Sequence, residues 1–219
     1  MPVFELTGAT LAYNGVPVLE DITLKIEAGE RVAFVGPSGA GKSTLLSKLF
    51  AQRRLQAALV PQEYALVKTL SVFHNVYMGR LDRHSSAYNL LNLMHPLRRE
   101  LEAVRPVLVR LGLEELTGKP VGELSGGQQQ RTAVGRALFQ GGAVLLGDEP
   151  VSSVDPLQSR SVLEAINDAF PTVVLAMHDV ELALAFTQRL IGLRDGRIQF
   201  DLPSSGLRAA DLASFYRPE

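Results

Sequence analysis

Nine residues, Gly36-Pro37-Ser38-Gly39-Ala40-Gly41-Lys42-Ser43-Thr44, constrain this chain more than any other feature of it. They follow a short β-rich run, Arg31 to Val35, and lead into Lys42 to Phe50, where Leu45, Leu46 and Leu49 recur at helical spacing. Strand, glycine-rich turn, helix is the context in which this spacing of glycines, lysine and serine binds phosphate. Glycines let the backbone bend so that several N–H groups face one anion, and the following helix presents the positive end of its dipole to it. Lys42 adds a mobile cation for β- and γ-phosphates. Ser43 offers its hydroxyl to Mg²⁺, whose other ligands would be phosphate oxygens, water and a carboxylate from elsewhere in the chain.

That carboxylate is offered by Ala143-Val-Leu-Leu-Gly-Asp148-Glu149-Pro150, an apolar run ending in two acids. Acids at strand ends project from the carboxyl edge of an open α/β sheet, where ligands bind. Successive strand side chains point to opposite faces, so the two acids take different roles unless the strand is already turning. Asp148 is assigned to the Mg²⁺ shell and Glu149 to the attacking water as general base.

The remaining pattern is α/β. Residues 3 to 13 and 22 to 28 alternate as half-buried strands around a turn at Asn14-Gly15, and Ala58 to Val60 reads as another strand. From about Leu70 to Leu138 the pattern is mostly helical, with Leu101, Val104, Leu108 and Leu111 on one face. From Ala143 strands and helices alternate again: a helix over about 156 to 168, a strand over 172 to 177, a helix over 180 to 186. Such alternation implies a parallel sheet with crossover helices. A hairpin around Asp195-Gly196 and a short helix within 207 to 216 close the chain. The expected organisation is one domain over 1–219: a nucleotide-binding core from 1–69 and 139–219, and a helical lobe over 70–138 inserted between elements of one sheet.

Composition narrows the rest. With 219 residues, 46% of them hydrophobic, the chain can bury one good core. A net charge of -1 gives no electrostatic footprint for nucleic acid, and none is expected as a partner. The absence of cysteine removes disulfides, thiolate nucleophiles and Cys-based metal sites. No apolar run approaches the roughly 18 residues a membrane span needs, and Met-Pro-Val-Phe-Glu-Leu is not the start of a secretory signal, so a cytoplasmic location is expected.

One stretch does not fit a chain with a single phosphate site. Leu124-Ser125-Gly126-Gly127-Gln128 stands directly before a helix over about Gln129 to Phe139, an N-cap serine and two glycines where an anion would bind. One γ-phosphate cannot easily reach both loops within one chain if the second lies in the inserted lobe. Its simplest use is on ATP held by another copy, which predicts a dimer with ATP in the interface.

Taken in order, Gly36 to Thr44, Leu124 to Arg131 and Asp148-Glu149 resemble the nucleotide-binding subunits of ABC transporters, and the resemblance runs over nearly the whole chain. It implies a P-loop NTPase core with a mixed, mainly parallel sheet, an antiparallel β edge and the helical signature lobe. It also implies further roles. Tyr13 matches the aromatic that stacks on adenine, Gln62 the glutamine that approaches Mg²⁺ and the water, Ser153-Val154-Asp155 the loop that contacts the other subunit, and His178 the histidine that reaches the γ-phosphate. Arg131 is read as a brace for the signature helix. His74, His84 and His95 are read as surface or packing residues. Expected partners are a second ATPase subunit, identical or paralogous, integral-membrane permeases that bring the chain to the inner face of the membrane, and, indirectly, an extracytoplasmic solute-binding protein. Met78-Gly79-Arg80-Leu81 is similar to importers of phosphonates and related anions. The chain departs from the family pattern in one place: only twenty residues separate Lys42 from Gln62, where relatives carry extra strands. A soluble regulatory ATPase of the same fold and a P-loop kinase are the alternatives; the signature loop argues against the second.

Overall fold

The computed structural model describes residues 2–13, 15–53 and 56–216. It opens with β1 (Pro2–Tyr13) and β2 (Val16–Glu27), paired antiparallel as a two-stranded sheet of their own. Leu19, Ile22, Leu24 and Ile26 of β2 and Phe4, Leu6 and Leu11 of β1 are buried, the one-sided burial that alternation predicts. β2 begins six residues before its expected start, because Val16 and Leu19 are drawn into the ladder opposite Tyr13 and Leu11. Gly15 of the expected turn has φ 80°; Asn14 lies outside the described residues.

The main sheet comprises, among the described residues, β3 (Arg31–Val35), β4 (Ala57–Val60), β5 (Val144–Asp148), β6 (Thr172–Ala176), β7 (Arg189–Arg194) and β8 (Arg197–Pro203), in the order β4-β5-β6-β3-β7-β8. β3 pairs parallel with β6 and β7, and β5 parallel with β6, while β7 and β8 form an antiparallel hairpin. Every residue of β5 and β6 is buried, as central parallel strands covered on both faces must be. The hairpin turns at Asp195 and Gly196, with φ of 51° and 73°, the pair of positive angles a two-residue turn needs to match strand twist. Strands from before and after the helical stretch thus share one sheet, as expected. The tail folds as a single 3-10 turn, Ala209–Leu212.

Contacts divide the chain into two units, residues 1–59, 143–149 and 170–219, and residues 60–142 and 150–169. In the first, α1 (Lys42–Gln52) and both sheets enclose a core that includes Phe34, Leu45, Leu46, Leu49, Leu146, Val174 and Ile191. Beyond α1 the Arg53 carbonyl accepts from the N–H groups of Gln56 and Ala57, at the start of β4.

The second unit holds α2 (Val72–Tyr77), α3 (Ser86–Met94), α4 (Arg98–Arg110), α5 (Gly126–Gln140) and α6 (Pro156–Ala169). In α4, Val104 and Leu108 are buried, and Leu111 just beyond its end joins them, while Leu101 is only partly covered. α5 starts three residues before its expected first residue, because Ser125 caps it directly. Among the described residues no helix is long and apolar enough to cross a membrane.

Candidate functional site

Lys42, Ser43 and Thr44 form the first turn of α1, and the first N–H taken up inside the helix belongs to Leu45, which donates to the Gly41 carbonyl. The amides of that first turn have no carbonyl four residues back within the helix. Gly41, at the N-cap with φ 93°, brings no side chain to cap them. Two glycines are sterically required. A Cβ on Gly41 would stand 2.7 Å from Leu19 Cγ, and one on Gly36, at φ 149°, would stand 2.1 Å from the Leu193 carbonyl oxygen. The loop is therefore wedged against β2 and β7 in a conformation that L side chains rarely adopt.

Lys42 is buried, and its ammonium donates to the carbonyls of Gly36 at 2.7 Å and Pro37 at 2.9 Å. Burial lowers its pKa, and the charges of Glu149 and Asp148 raise it in part. Asp148, the last residue of β5, is buried too. Desolvation raises its pKa, a hydrogen bond from the Ser43 hydroxyl works the other way, and the neighbouring Glu149 charge raises it again. Its Oδ1 is buried with no hydrogen-bond partner among the described residues, although buried polar atoms are nearly always paired. A hydroxyl and a buried unpartnered carboxylate oxygen form the hard-oxygen donor set that suits Mg²⁺, so these residues fit that ion.

Glu149 follows at φ 51°, left-handed for a residue with a side chain. The strand does turn between the two acids, and the angle re-aims the second one. The Glu149 N–H donates to the Ala176 carbonyl at the end of β6. Two residues further on, His178 Nε2 lies 2.8 Å from Glu149 Oε1. Asp179 then caps α7 (Val180–Phe186) by accepting from the Leu182 N–H. Lys42, Ser43, Asp148, Glu149 and His178 therefore gather at the carboxyl edge of β3, β5 and β6, where an open parallel sheet places its ligands.

Beside them Tyr13, 65% exposed, lines an open cavity of about 410 Å³ with Thr10, Leu11, Ala12, Ser43, Thr44, Ser47 and Lys48. Sequence reasoning named Tyr13, Ser43 and Thr44 here and missed Ser47 and Lys48. Helical spacing was the available signal, since both stand four residues beyond Ser43 and Thr44 on α1.

The other expected residues belong to the second unit. Gln62 is exposed in a turn over 61–65. Ser125 accepts from the Gln128 N–H, and the Gln128 side chain accepts from the Ser125 N–H, a complete capping box. A hydroxyl that accepts here still has its own proton to donate, and the N–H groups of Gly126 and Gly127 lie at the same helix end. Asp155 accepts from the Gln158 N–H at the start of α6. Arg131 is buried and donates to the Leu111 and Gly112 carbonyls, tying the end of α4 to the signature helix as a brace would. His74 hydrogen-bonds Ser71 and packs on Phe73, and His84 stacks on Tyr77 and Tyr88.

The family pattern described as ABC transporter matches residues 19–152, which is 134 of the 219 residues. Among curated relatives, "Phosphonates import ATP-binding protein PhnC" of Anaeromyxobacter dehalogenans (strain 2CP-C) is 38% identical over 98% of this chain. The chain spans 48%, about half, of that relative's length. "Phosphonates import ATP-binding protein PhnC 1" of Pseudomonas syringae pv. tomato (strain ATCC BAA-871 / DC3000) is 39% identical, covering 94% of this chain and 88% of its own. The PhnC of Maricaulis maris (strain MCS10) is 34% identical, covering 95% and 91%. These alignments run over 235 to 242 positions, longer than the chain itself, so the relatives carry residues that it lacks. Among solved structures, the "Dimeric Structure of MJ0796, a Bacterial ABC Transporter Cassette" superposes with a TM-score of 0.78 at 26% identity, covering 93% of this chain and 99% of that one. The same cassette in a dimeric post-hydrolysis state bound to ADP and Pi gives 0.75 at 26%. The chain therefore belongs to the ABC transporter family as one of its ATP-binding, ATP-hydrolysing subunits.

Proposed function

We propose that this chain hydrolyses ATP to drive import of a phosphonate or related anion through separate membrane permeases. The observation that supports it best is the convergence, at one sheet edge, of buried Lys42, the Ser43–Asp148 pair and the Glu149–His178 pair. The choice of solute rests on the similarity to phosphonate-import ATP-binding proteins. Residues 1–69 and 139–219 serve as the nucleotide-binding core and 70–138 as the signature lobe. The chain works on the cytoplasmic side, peripheral to the inner face of the membrane, and an extracytoplasmic solute-binding protein delivers the solute to the permeases.

In this reading Tyr13 stacks on the adenine and the backbone from Gly36 to Thr44 wraps the phosphates. Lys42 exchanges a loop carbonyl for phosphate oxygen. Ser43 and Asp148 would hold Mg²⁺, with Gln62 proposed for the same shell, and a bound ion would supply charge neutralisation for the phosphates. Glu149 accepts a proton from the attacking water, and His178, within hydrogen-bond distance of that carboxylate, orients it and reaches the γ-phosphate. Ser125, Gly126, Gly127 and Gln128 of a second copy complete the site, with Asp155 at the contact between copies.

The test is light scattering of Glu149→Gln with ATP, with and without Mg²⁺, beside the unmodified chain and the doubly substituted Glu149→Gln/Ser125→Arg. Glu149→Gln is expected to dimerise only with ATP, and the added arginine to abolish the dimer. Tight ATP binding with no dimer under any condition would overturn the two-site clamp and favour a soluble ATPase of the same fold.

A further inference from the structure

Two loops of the second unit meet on α5. At its first turn, a Cβ on Gly127 would stand 2.7 Å from the Ser153 carbonyl oxygen, so the loop that follows Asp148-Glu149 lies directly on the helix. One turn later Gln130, 1% exposed, accepts from the Ser153 N–H at 2.7 Å and donates to the Ser152 hydroxyl at 3.2 Å. Nearly three turns from the start, Arg136 binds the other loop. Its Nη1 donates to the Ala65 carbonyl at 2.6 Å and its Nη2 to the Tyr64 carbonyl at 2.8 Å. Tyr64 and Ala65 are both left-handed, with φ of 59° and 47°, conformations that persist only where the surroundings over-determine them. Between the two loops the Tyr64 hydroxyl and Ser153 Oγ stand 2.9 Å apart, closing the ring.

We propose that this ring, Gln130 and Arg136 on α5 joined through the Tyr64–Ser153 hydroxyl bond, makes the signature helix, the turn that carries Gln62 and the loop that carries Asp155 respond to nucleotide as one body. The inference rests on the proposed function and deepens it: Arg136, Tyr64 and Ser153 are positioning residues for hydrolysis and touch no nucleotide atom. A rigid ring transmits displacement because packed, hydrogen-bonded elements shift between discrete arrangements rather than deforming continuously. The planar fork matters. One guanidinium spans two successive carbonyls, which a lysine ammonium at the end of a flexible stem cannot do in the same geometry.

The experiment is a double-mutant cycle on ATP hydrolysis with Tyr64→Phe, Ser153→Ala and both together, alongside Arg136→Lys, with thermal melting of each variant. Each hydroxyl deletion is expected to lower kcat by about two- to tenfold, the range one neutral hydrogen bond supports. KM for ATP should stay within about twofold, because the positioned groups are not binding groups. The double variant should be no slower than the slower single, since both delete one bond. Arg136→Lys should also lower kcat although it retains the charge. Additive losses, equal changes in KM and kcat, or losses that track melting temperature would overturn the ring while leaving the proposed function standing. Absence of ATP hydrolysis by the unmodified chain would overturn that function itself.

Discussion

Lys42 meets nucleotide already in place, its ammonium fixed by two carbonyls of its own loop. Lys42→Ala should therefore do two things at once. It should weaken ATP binding by at least about tenfold and leave two carbonyls short of a charged donor, lowering unfolding free energy by about 1–2 kcal/mol. Titration calorimetry and urea unfolding measure the two separately. Asp148 allows a cleaner dissection: Asp148→Asn keeps the size of the buried group and removes its charge. Hydrolysis at saturating ATP should fall by about 100-fold or more, and metal titrations should no longer recover it, whereas a chelator should silence the unmodified chain reversibly. Lys42, Ser43, Asp148 and Glu149 were singled out in the sequence because phosphate chemistry asks for particular residue types at a glycine-rich turn and a strand end, whereas His178 entered only through the family resemblance. Ser47 and Lys48 were not singled out, since their four-residue spacing from Ser43 and Thr44 marks a shared helix face but not that a cavity lies beside it.

At the scale of elements, the helical unit is held by close backbone approaches more than by motifs. A Cβ on Gly79 would stand 2.3 Å from the Arg136 carbonyl oxygen, and one on Gly135 would stand 3.1 Å from Val76 Cγ2. Gly79→Ala must move backbone, whereas Gly135→Ala meets a side chain that can yield. The first should cost about 2–3 kcal/mol and the second about 1 kcal/mol or less, read from denaturant midpoints at unchanged slope. Helix α7 and the Asp195-Gly196 hairpin were legible from local signals alone. The first residues of β2 were not, because Val16 to Leu19 become strand only through their partners across the ladder. The early start of α5 was readable in hindsight from Ser125 and Gln128, a capping box three residues apart.

For the whole molecule, a clamp made from two copies predicts complementation. Lys42→Ala retains a signature helix, Ser125→Arg retains a phosphate loop, and each alone should hydrolyse ATP poorly. Mixed in equal amounts they should regain activity, because a heterodimer carries one site with both halves intact. A mixture no more active than its components would refute shared sites. The order of strands and helices, and with it the sheet edge that bears the site, was readable because parallel strands need crossovers and crossovers are right-handed. The division of residues into compact units was not, because it depends on packing that no periodicity encodes. The backbone of Glu149 has a consequence of another kind. Its left-handed angle costs of order 1 kcal/mol, which glycine at that position would not incur. Glu149→Gly should therefore leave the fold as stable as before or more so while removing the acid. Stability and turnover pull in opposite directions at this position, and selection for a hardier fold alone would discard the glutamate.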